Sequence, residues 1–416
     1  MPTQAALGEA LNLSKLYVKK FGGTSVGSIE RIEALAEKIA ASHQAGERQV
    51  IVCSAMAGET NRLIALGGQI TAYGDPREMD MLISTGEQVS IALMAMALQK
   101  RGVPARSLTG DQVQIHTNSH FGRASIEKVD TDYLQQLLSE GIVPVVAGFQ
   151  GRNPQGDVTT LGRGGSDTTA VALAAALTAD ECQIFTDVPG VFTADPNLEP
   201  AARKLSNISF SSMFEMARLG AKVLHPDSVA YAERYKVPLR VLSSFEAGEG
   251  TLICFDDATK LSGEVVGIAI SADLAMVSFD ELEESSDTLA SLFKRLADIG
   301  IETDLLSKTR SSASSVSFTI SQSWLERVLA ELDAVSQTLN IGAVYFEQDL
   351  VRVSLVGNGN LPKTEVAARV FDILGKQGIH VKLVSSSAIK LALVIEQNHL
   401  QRAVCALHHA FKLNEL

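Results

Sequence analysis

Along the first half of the chain, short unbroken apolar runs alternate with stretches whose apolar residues recur at helical spacing. Leu16-Tyr17-Val18 reads as a buried strand, and Ile29, Ile32, Leu35 and Ile39 share one face of a helix. Val50-Ile51-Val52-Cys53, Ile142–Phe149, Cys182–Thr186 and Pro238–Ser243 are further strand-like runs. Helical patterns lie between them at Met79–Leu98, at the Ala-rich Asp167–Leu177 and at Ser211–Leu219. The strands are continuously apolar rather than alternating, as in a sheet covered on both faces. This order predicts an α/β fold, a three-layer αβα domain with a mainly parallel sheet, spanning 16–250.

Near Phe245 the pattern changes. Glu246-Ala-Gly-Glu-Gly250 reads as a linker-like turn, and Asp256–Gly263 is polar. Beyond it, Phe293-Lys-Arg-Leu-Ala-Asp-Ile-Gly300-Ile301 recurs as Phe371-Asp-Ile-Leu-Gly-Lys-Gln-Gly378-Ile379, an internal repeat. Each copy reads strand, helix, Gly-Ile turn, strand, strand, helix, with strands that include Leu274–Phe279, Val316–Ile320, Leu350–Val356 and Leu391–Ile395. Two ferredoxin-like βαββαβ units are expected, at 264–340 and 341–416. Such small sheets expose edges and faces, so a homodimer or higher homo-oligomer is expected.

Composition narrows the function. A chain of 416 residues is too long for one ordinary core, and its 46% apolar and 20% charged content is that of a globular protein. A formal charge of −12 argues against nucleic acid as a general partner. No run of 18 apolar residues occurs, so no membrane span is expected. Met1 to Leu16 lacks the pattern of a signal peptide and reads as a frayed, weakly helical extension. Cys53, Cys182, Cys254 and Cys405 are far apart without ligand spacing, and read as reduced thiols of a cytoplasmic protein.

Candidate chemistry lies in three loops. Lys20-Phe21-Gly22-Gly23-Thr24-Ser25 joins a strand to a helix, where backbone N–H groups and a lysine attract phosphate. It is not a Walker loop, and a Gly-Gly pair can also be no more than a tight turn. Gly162-Arg163-Gly164-Gly165-Ser166-Asp167 opens the Ala-rich helix. Ser166 or Asp167 can cap that helix, yet capping does not account for an arginine among glycines, which suits a carboxylate or phosphate. Phe185 to Asn197 runs from a strand end through turn residues, where nucleotides sit in open α/β sheets or where a long surface turn would lie. Lys222 is either a snorkelling surface residue or a phosphate contact. His225 marks a helix boundary before Pro226, and His408-His409 reads as the solvated face of the last helix.

Together these stretches resemble the aspartokinase family from Tyr17 to Phe411. Four motifs carry the resemblance: Lys20-Phe-Gly-Gly-Thr-Ser25, Ser84-Thr85-Gly86-Glu87, Thr160-Leu-Gly-Arg-Gly-Gly-Ser-Asp167 with the following Thr-Thr, and Thr186-Asp-Val-Pro-Gly190. The repeat resembles the family's tandem ACT (small-ligand-binding) domains. The resemblance implies phosphorylation of the L-aspartate side chain by ATP with Mg2+, giving 4-phospho-L-aspartate. A side-chain carboxylate with a pKa near 4 is already ionised at neutral pH. No general base is needed, and catalysis reduces to positioning and charge neutralisation.

By the same resemblance, Lys20 serves the transferring phosphoryl group and Asp167 holds that lysine. Arg163 grips the substrate α-carboxylate, Glu87 faces its amino group, and Ser54, Thr60 and Ser166 complete the substrate loops. Gly22, Gly23, Thr24, Thr186, Asp187, Phe192, Asn197 and Lys222 fall at ATP-binding positions. The chain departs from the family where Phe192-Thr-Ala-Asp-Pro-Asn197 replaces Tyr-Thr-Thr-Asp-Pro-Arg, which implies weaker ATP binding. The ACT-like units would take an amino-acid effector such as lysine or threonine, although Glu284-Ser-Ser-Asp287, Lys308-Thr309 and Ala388 depart from the family there. Two alternatives stay open: a glutamate or acetylglutamate kinase, and a non-catalytic amino-acid sensor.

Overall fold

A computed structural model describes residues 15–415, apart from 72–73, 222, 256–263, 280–285, 299, 302, 304, 311–313, 340–342 and 360. The expected N-terminal extension, the polar segment 256–263, Glu284 and Lys222 therefore lie outside the described residues. The chain divides into two compact units. The first comprises residues up to Val191 together with Lys204–Arg218 and Lys222–Lys260; the second takes Phe192–Arg203, Leu219–Ala221 and Leu261–Leu416.

The first unit opens with β1 (Leu16–Phe21), α1 (Ile29–Gln44), β2 (Arg48–Cys53), α2 (Glu59–Ile70), α3 (Pro76–Ile83) and α4 (Thr85–Gln99). There follow β3 (Ala105–Leu108), β4 (Ile115–Thr117), β5 (Ile126–Val129), α5 (Asp132–Ser139), β6 (Val143–Ala147), β7 (Gln150–Arg152) and β8 (Val158–Thr160). The unit closes with α6 (Gly165–Ala176), β9 (Glu181–Thr186), β10 (Asn207–Ser209), α7 (Phe210–Arg218), α8 (Pro226–Arg234), β11 (Leu239–Ser243) and β12 (Thr251–Cys254). Its main sheet has the order β10-β12-β11-β9-β1-β2-β6-β3, and only the β11–β12 pair is antiparallel. The mainly parallel αβα architecture expected from the continuous apolar runs is what forms.

Both faces of the sheet are covered. Ile51 and Cys53 pack with Ile32, Leu35 and Ile39 of α1 and with Ile91, Met94 and Leu98 of α4. Val50 and Val52 alternate to the other face and are equally buried, on the side where α6 meets β1 and β2. Burial of these side chains is the main stabilising term, about 1.5–3 kcal/mol for each large apolar residue. A second, four-stranded sheet, β5-β4-β7-β8, stands apart from the first.

Several local expectations are corrected. Ile29, at the first turn of α1, is half exposed and not part of the apolar face. The helical pattern 79–98 forms two helices that meet at Ser84, which ends one and begins the next. By length and composition alone the stretch Pro76–Lys100 could cross a membrane, but its Ile91, Met94 and Leu98 are core residues. Residues 246–250 are the hairpin turn between β11 and β12, not a segment leaving the unit, and Gly250 holds a φ of +66° there. The N-cap of α6 is Gly164, with no side-chain cap, so neither Ser166 nor Asp167 plays that part.

In the second unit the elements are β13 (Val265–Phe279), α9 (Ser286–Asp298), β14 (Leu306–Arg310), β15 (Ser314–Ser321), α10 (Leu325–Leu339), β16 (Val344–Gly357), α11 (Lys363–Lys376), β17 (Leu383–Ser386), β18 (Lys390–Glu396) and α12 (Leu400–Ala410). They form one six-stranded sheet in the order β14-β15-β13-β16-β18-β17. The repeat is visible in matching helix ends. Gly300 and Gly378 take φ of +76° and +65°, and the N–H of Ile301 and of Ile379 bonds back to Leu296 and Leu374, both at 2.9 Å.

The long strands β13 and β16 are shared by two cores. Residues 274–279 of β13 pair with β15, and Ala275, Val277 and Phe279 pack with α9 and α10. Val265 and Ile268 of the same strand pack instead with Val351, Val353, Val366 and Leu407. The first half of β13 thus supplies the edge strand of the later repeat. His408 is also corrected: it is 1% exposed rather than solvated, with Nε2 2.9 Å from Thr193 Oγ1. Burial lowers its pKa.

Candidate active site

Two of the three expected loops, the glycine turn after β1 and the arginine turn before α6, converge at the carboxyl ends of β1 and β2, the usual ligand side of an open α/β sheet; the third, Phe185 to Asn197, does not line the cleft. A cleft of about 340 Å³ there is lined by Lys20, Gly23, Ser54, Thr60, Glu87, Arg163, Ser166 and Asp167. Eight of the residues expected from sequence therefore share one cavity.

Lys20 reaches the cleft because β1 alternates. Its neighbour Lys19 takes the opposite face, where it is buried and donates to Glu47 and to Gln49 Oε1, each at 2.8 Å. Lys20 Nζ lies 2.6 Å from Asp167 Oδ1, and both side chains are largely buried. Asp167 is placed by α6, which starts directly after the second glycine turn.

The first glycine turn departs from a simple helix-start cradle. The N–H of Gly22 donates to Phe185 C=O at 3.2 Å, and α1 begins only after Ser28, whose Oγ caps it. Gly23 is required for close approach: a Cβ there would come 2.9 Å from the carbonyl oxygen of Ala55. Ser25 is buried and accepts from Ser244 Oγ at 2.6 Å, tying the turn to the end of β11.

The second turn places Gly162 and Gly164 at φ of +74° each, a region open to glycine. A Cβ on Gly164 would collide with the His225 ring at 2.3 Å. Phe149, also in the cleft, holds a φ of +71° and is fixed by N–H donation to Thr169 Oγ1 at 3.1 Å. Phe149 and Asn61 were not anticipated as site residues, although Asn61 belongs to the small, hydroxyl-rich loop after β2. Phe149 gave no signal, because its role depends on backbone conformation.

Glu87 sits in the first turn of α4 and is 3% exposed. Its Oε1 accepts from Ala55 N–H at 3.0 Å, whereas Oε2 is buried without a hydrogen-bond partner. Burial pushes its pKa up to about 7, and the Ala55 N–H opposes that shift. A buried acceptor left open beside a cleft suits a cationic ligand group.

Gly22, Thr24, Thr186 and Asp187 do not line this cleft. Thr186 Oγ1 donates to Asp187 Oδ1 at 3.1 Å beyond the end of β9. Phe192 and the exposed Asn197, whose N–H bonds to Asp195 Oδ1 at 2.9 Å, belong to the second unit. Among the described residues no group of three or more His, Cys, Asp or Glu side chains is placed to hold a metal.

A buried Lys–Asp pair beside an arginine turn, at the strand ends of a mainly parallel αβα sheet, defines a phosphotransferase acting on an acidic small molecule. The comparisons agree. Residues 15–243 match the amino acid kinase family and 353–411 match an ACT domain. The aspartate kinase of Pseudomonas putida is 46% identical over 402 residues, covering 96% of this chain and 98% of the relative. Two solved structures of E. coli aspartokinase III are similar: in complex with aspartate and ADP (29% identity, TM-score 0.78, 95% and 99% covered), and with lysine and aspartate (31%, 0.77, 96% and 100%). This chain belongs to the aspartokinases, within the amino acid kinase family.

Proposed function

We propose that this aspartokinase moves the γ-phosphoryl group of ATP to the side-chain carboxylate of L-aspartate, the substrate named for its relatives. A carboxylate oxygen forms the new bond to γ-phosphorus; the bond to the β,γ-bridging oxygen breaks and its electron pair leaves with ADP. Lys20 neutralises charge on the moving phosphoryl group, and Asp167 keeps that ammonium in place. Arg163 forks onto the substrate α-carboxylate and Glu87 receives its ammonium, with Ser54, Thr60 and Ser166 as further substrate contacts. Gly22, Gly23, Thr24, Thr186, Asp187, Phe192, Asn197 and Lys222 are assigned to ATP. The observation that carries this reading is the 2.6 Å Lys20–Asp167 pair in the cleft that also holds Arg163 and Glu87.

Mg2+ enters with ATP as part of the nucleotide substrate. When bound, it would offset the charge of the phosphate oxygens. Lysine, present in one relative's structure, is the proposed effector of the ACT-like units. We further propose ACT-like units at 264–340 and 341–416 after a kinase domain at 16–250, with the first half of β13 lent to the sheet of the later unit, a cytoplasmic location and a homodimer. Exposed Leu306, Tyr345, Phe346 and Val384 on the six-stranded sheet support the homodimer.

Hydroxylamine trapping of the acyl phosphate tests the reaction. Hydroxamate should form with aspartate and Mg-ATP, more slowly with glutamate or acetylglutamate, and less when lysine is added. Well-folded protein that yields none with aspartate overturns the reading.

A further inference from the structure

Asp80 lies outside the cleft, in α3, and is 1% exposed. Both of its oxygens accept from Gly122 N–H at 3.0 Å; Oδ2 also accepts from Thr160 N–H at 2.8 Å and Oδ1 from Thr160 Oγ at 2.7 Å. Among the described residues no lysine or arginine pairs with it. Neutral donors alone offset the desolvation of this carboxylate, a costly way to tie down a loop. It provides short, convergent bonds to one point of the chain.

That point is the root of the arginine turn. Thr160 ends β8, and Gly162 and Arg163 follow it. The Gly122 segment is laid against the same turn. Ala124 N–H donates to Thr160 C=O at 2.8 Å, and a Cβ on Gly162 would come 3.1 Å from Gly122 C=O. On its other side, Asp80 is joined through α3 to Ser84 and then to Glu87 in the first turn of α4. The Ser84 carbonyl is itself fixed by Gln150 Nε2 of β7 at 2.9 Å, in a buried contact. Asp80 therefore links the helix that carries Glu87 to the turn that carries Arg163.

We propose that Asp80 is a positioning residue for the amino-acid substrate: it sets the separation and angle between the Arg163 guanidinium and the Glu87 carboxylate. The proposal rests on the assignment of those two groups to the substrate α-carboxylate and ammonium. Its effect falls on aspartate more than on the nucleotide: the glycine turn after β1 is held separately by Phe185 and Ser244, and Asp167, the partner of Lys20, stands within α6, beyond the turn.

The test is steady-state hydroxamate kinetics on full-length Asp80→Ala, Asp80→Asn and Thr160→Val beside Arg163→Lys. Asp80→Ala should raise the KM for aspartate by about 30-fold or more while the KM for ATP stays within about twofold. Asp80→Asn, which keeps one acceptor oxygen, should recover part of the loss. Thr160→Val, which removes only the Oγ donor, should give a smaller rise, about 3–10-fold, in the same constant. Equal changes in both KM values, or a fall in kcat alone, overturn the proposal. If Asp80→Ala does not fold, Thr160→Val decides by the same criterion. A selective Arg163→Lys with unselective Asp80 and Thr160 variants sinks only this proposal. An unselective Arg163→Lys sinks the site assignment beneath it.

Discussion

The two glycine-rich turns of the cleft are built on different supports. The turn after β1 is fixed in the middle of the sheet: Gly22 N–H bonds to the neighbouring strand end, and the Ser25 hydroxyl accepts from that of Ser244. The turn before α6 is fixed from outside the sheet, by the His225 ring against Gly164 and by bonds that end on Asp80 and Phe149. The first therefore presents Lys20 from a central strand of the sheet, while the second presents Arg163 on a support outside it, built largely on the Asp80 and His225 side chains. Chemistry and substrate grip should be separable by mutation along that line.

The largest effect should come from the turn after β1. Lys20→Ala should lower kcat by about 10³-fold, with little change in the KM for aspartate and an unchanged fold by circular dichroism. A loss confined to KM would show that Lys20 belongs to ground-state binding instead. On the other side, Arg163→Lys should raise the KM for aspartate at least about tenfold and leave that for ATP nearly unchanged, since an ammonium cannot fork onto a carboxylate. Equal effects would erase the distinction between the turns.

Glu87 adds a pH dependence to the substrate side alone. With a pKa of about 7 it loses its charge as pH falls. Aspartate KM should then rise roughly tenfold from pH 8 to pH 6, with ATP KM flat and the slope absent in Glu87→Gln. A rise shared by ATP would point to another group. For stability of the free enzyme the sign is opposite. Between the ordinary value of 4.5 and about 7 the native state holds more protons than the unfolded one, so the contribution of Glu87 falls as pH rises through that window. Smallest of all, Gly164→Ala should cost about 1–3 kcal/mol of stability, read as a lowered Tm, because φ is +74° and His225 blocks the Cβ. An unchanged Tm would mean that the second turn is softer than its contacts indicate.

Much of this protein was legible in the chain itself. Short, β-branched continuous runs such as Val50–Cys53 favour buried strands, and helical patterns between them require crossovers, so the parallel sheet followed from composition and spacing. Charge placed among glycines, at Lys20 and Arg163, marked the chemistry because few structural roles need that combination. What stayed hidden depends on contacts between residues far apart in sequence. Lys19 and Lys20 are equivalent as letters, and only the pleat of β1 sends one to Glu47 and the other to Asp167. His408 lies on a helix face that reads as solvated until Thr193 is packed against it. Asp80 reads as one more charge on α3 until Thr160, eighty residues on, folds over it. In the second unit the repeat gave the helices and their Gly-Ile ends, but strand exchange through β13 is a matter of pairing. A sequence sets which segments become strands and which side chains can carry charge. Partners come from the tertiary fold, because a hydrogen bond or ion pair is decided by distances of a few ångströms that no local pattern encodes.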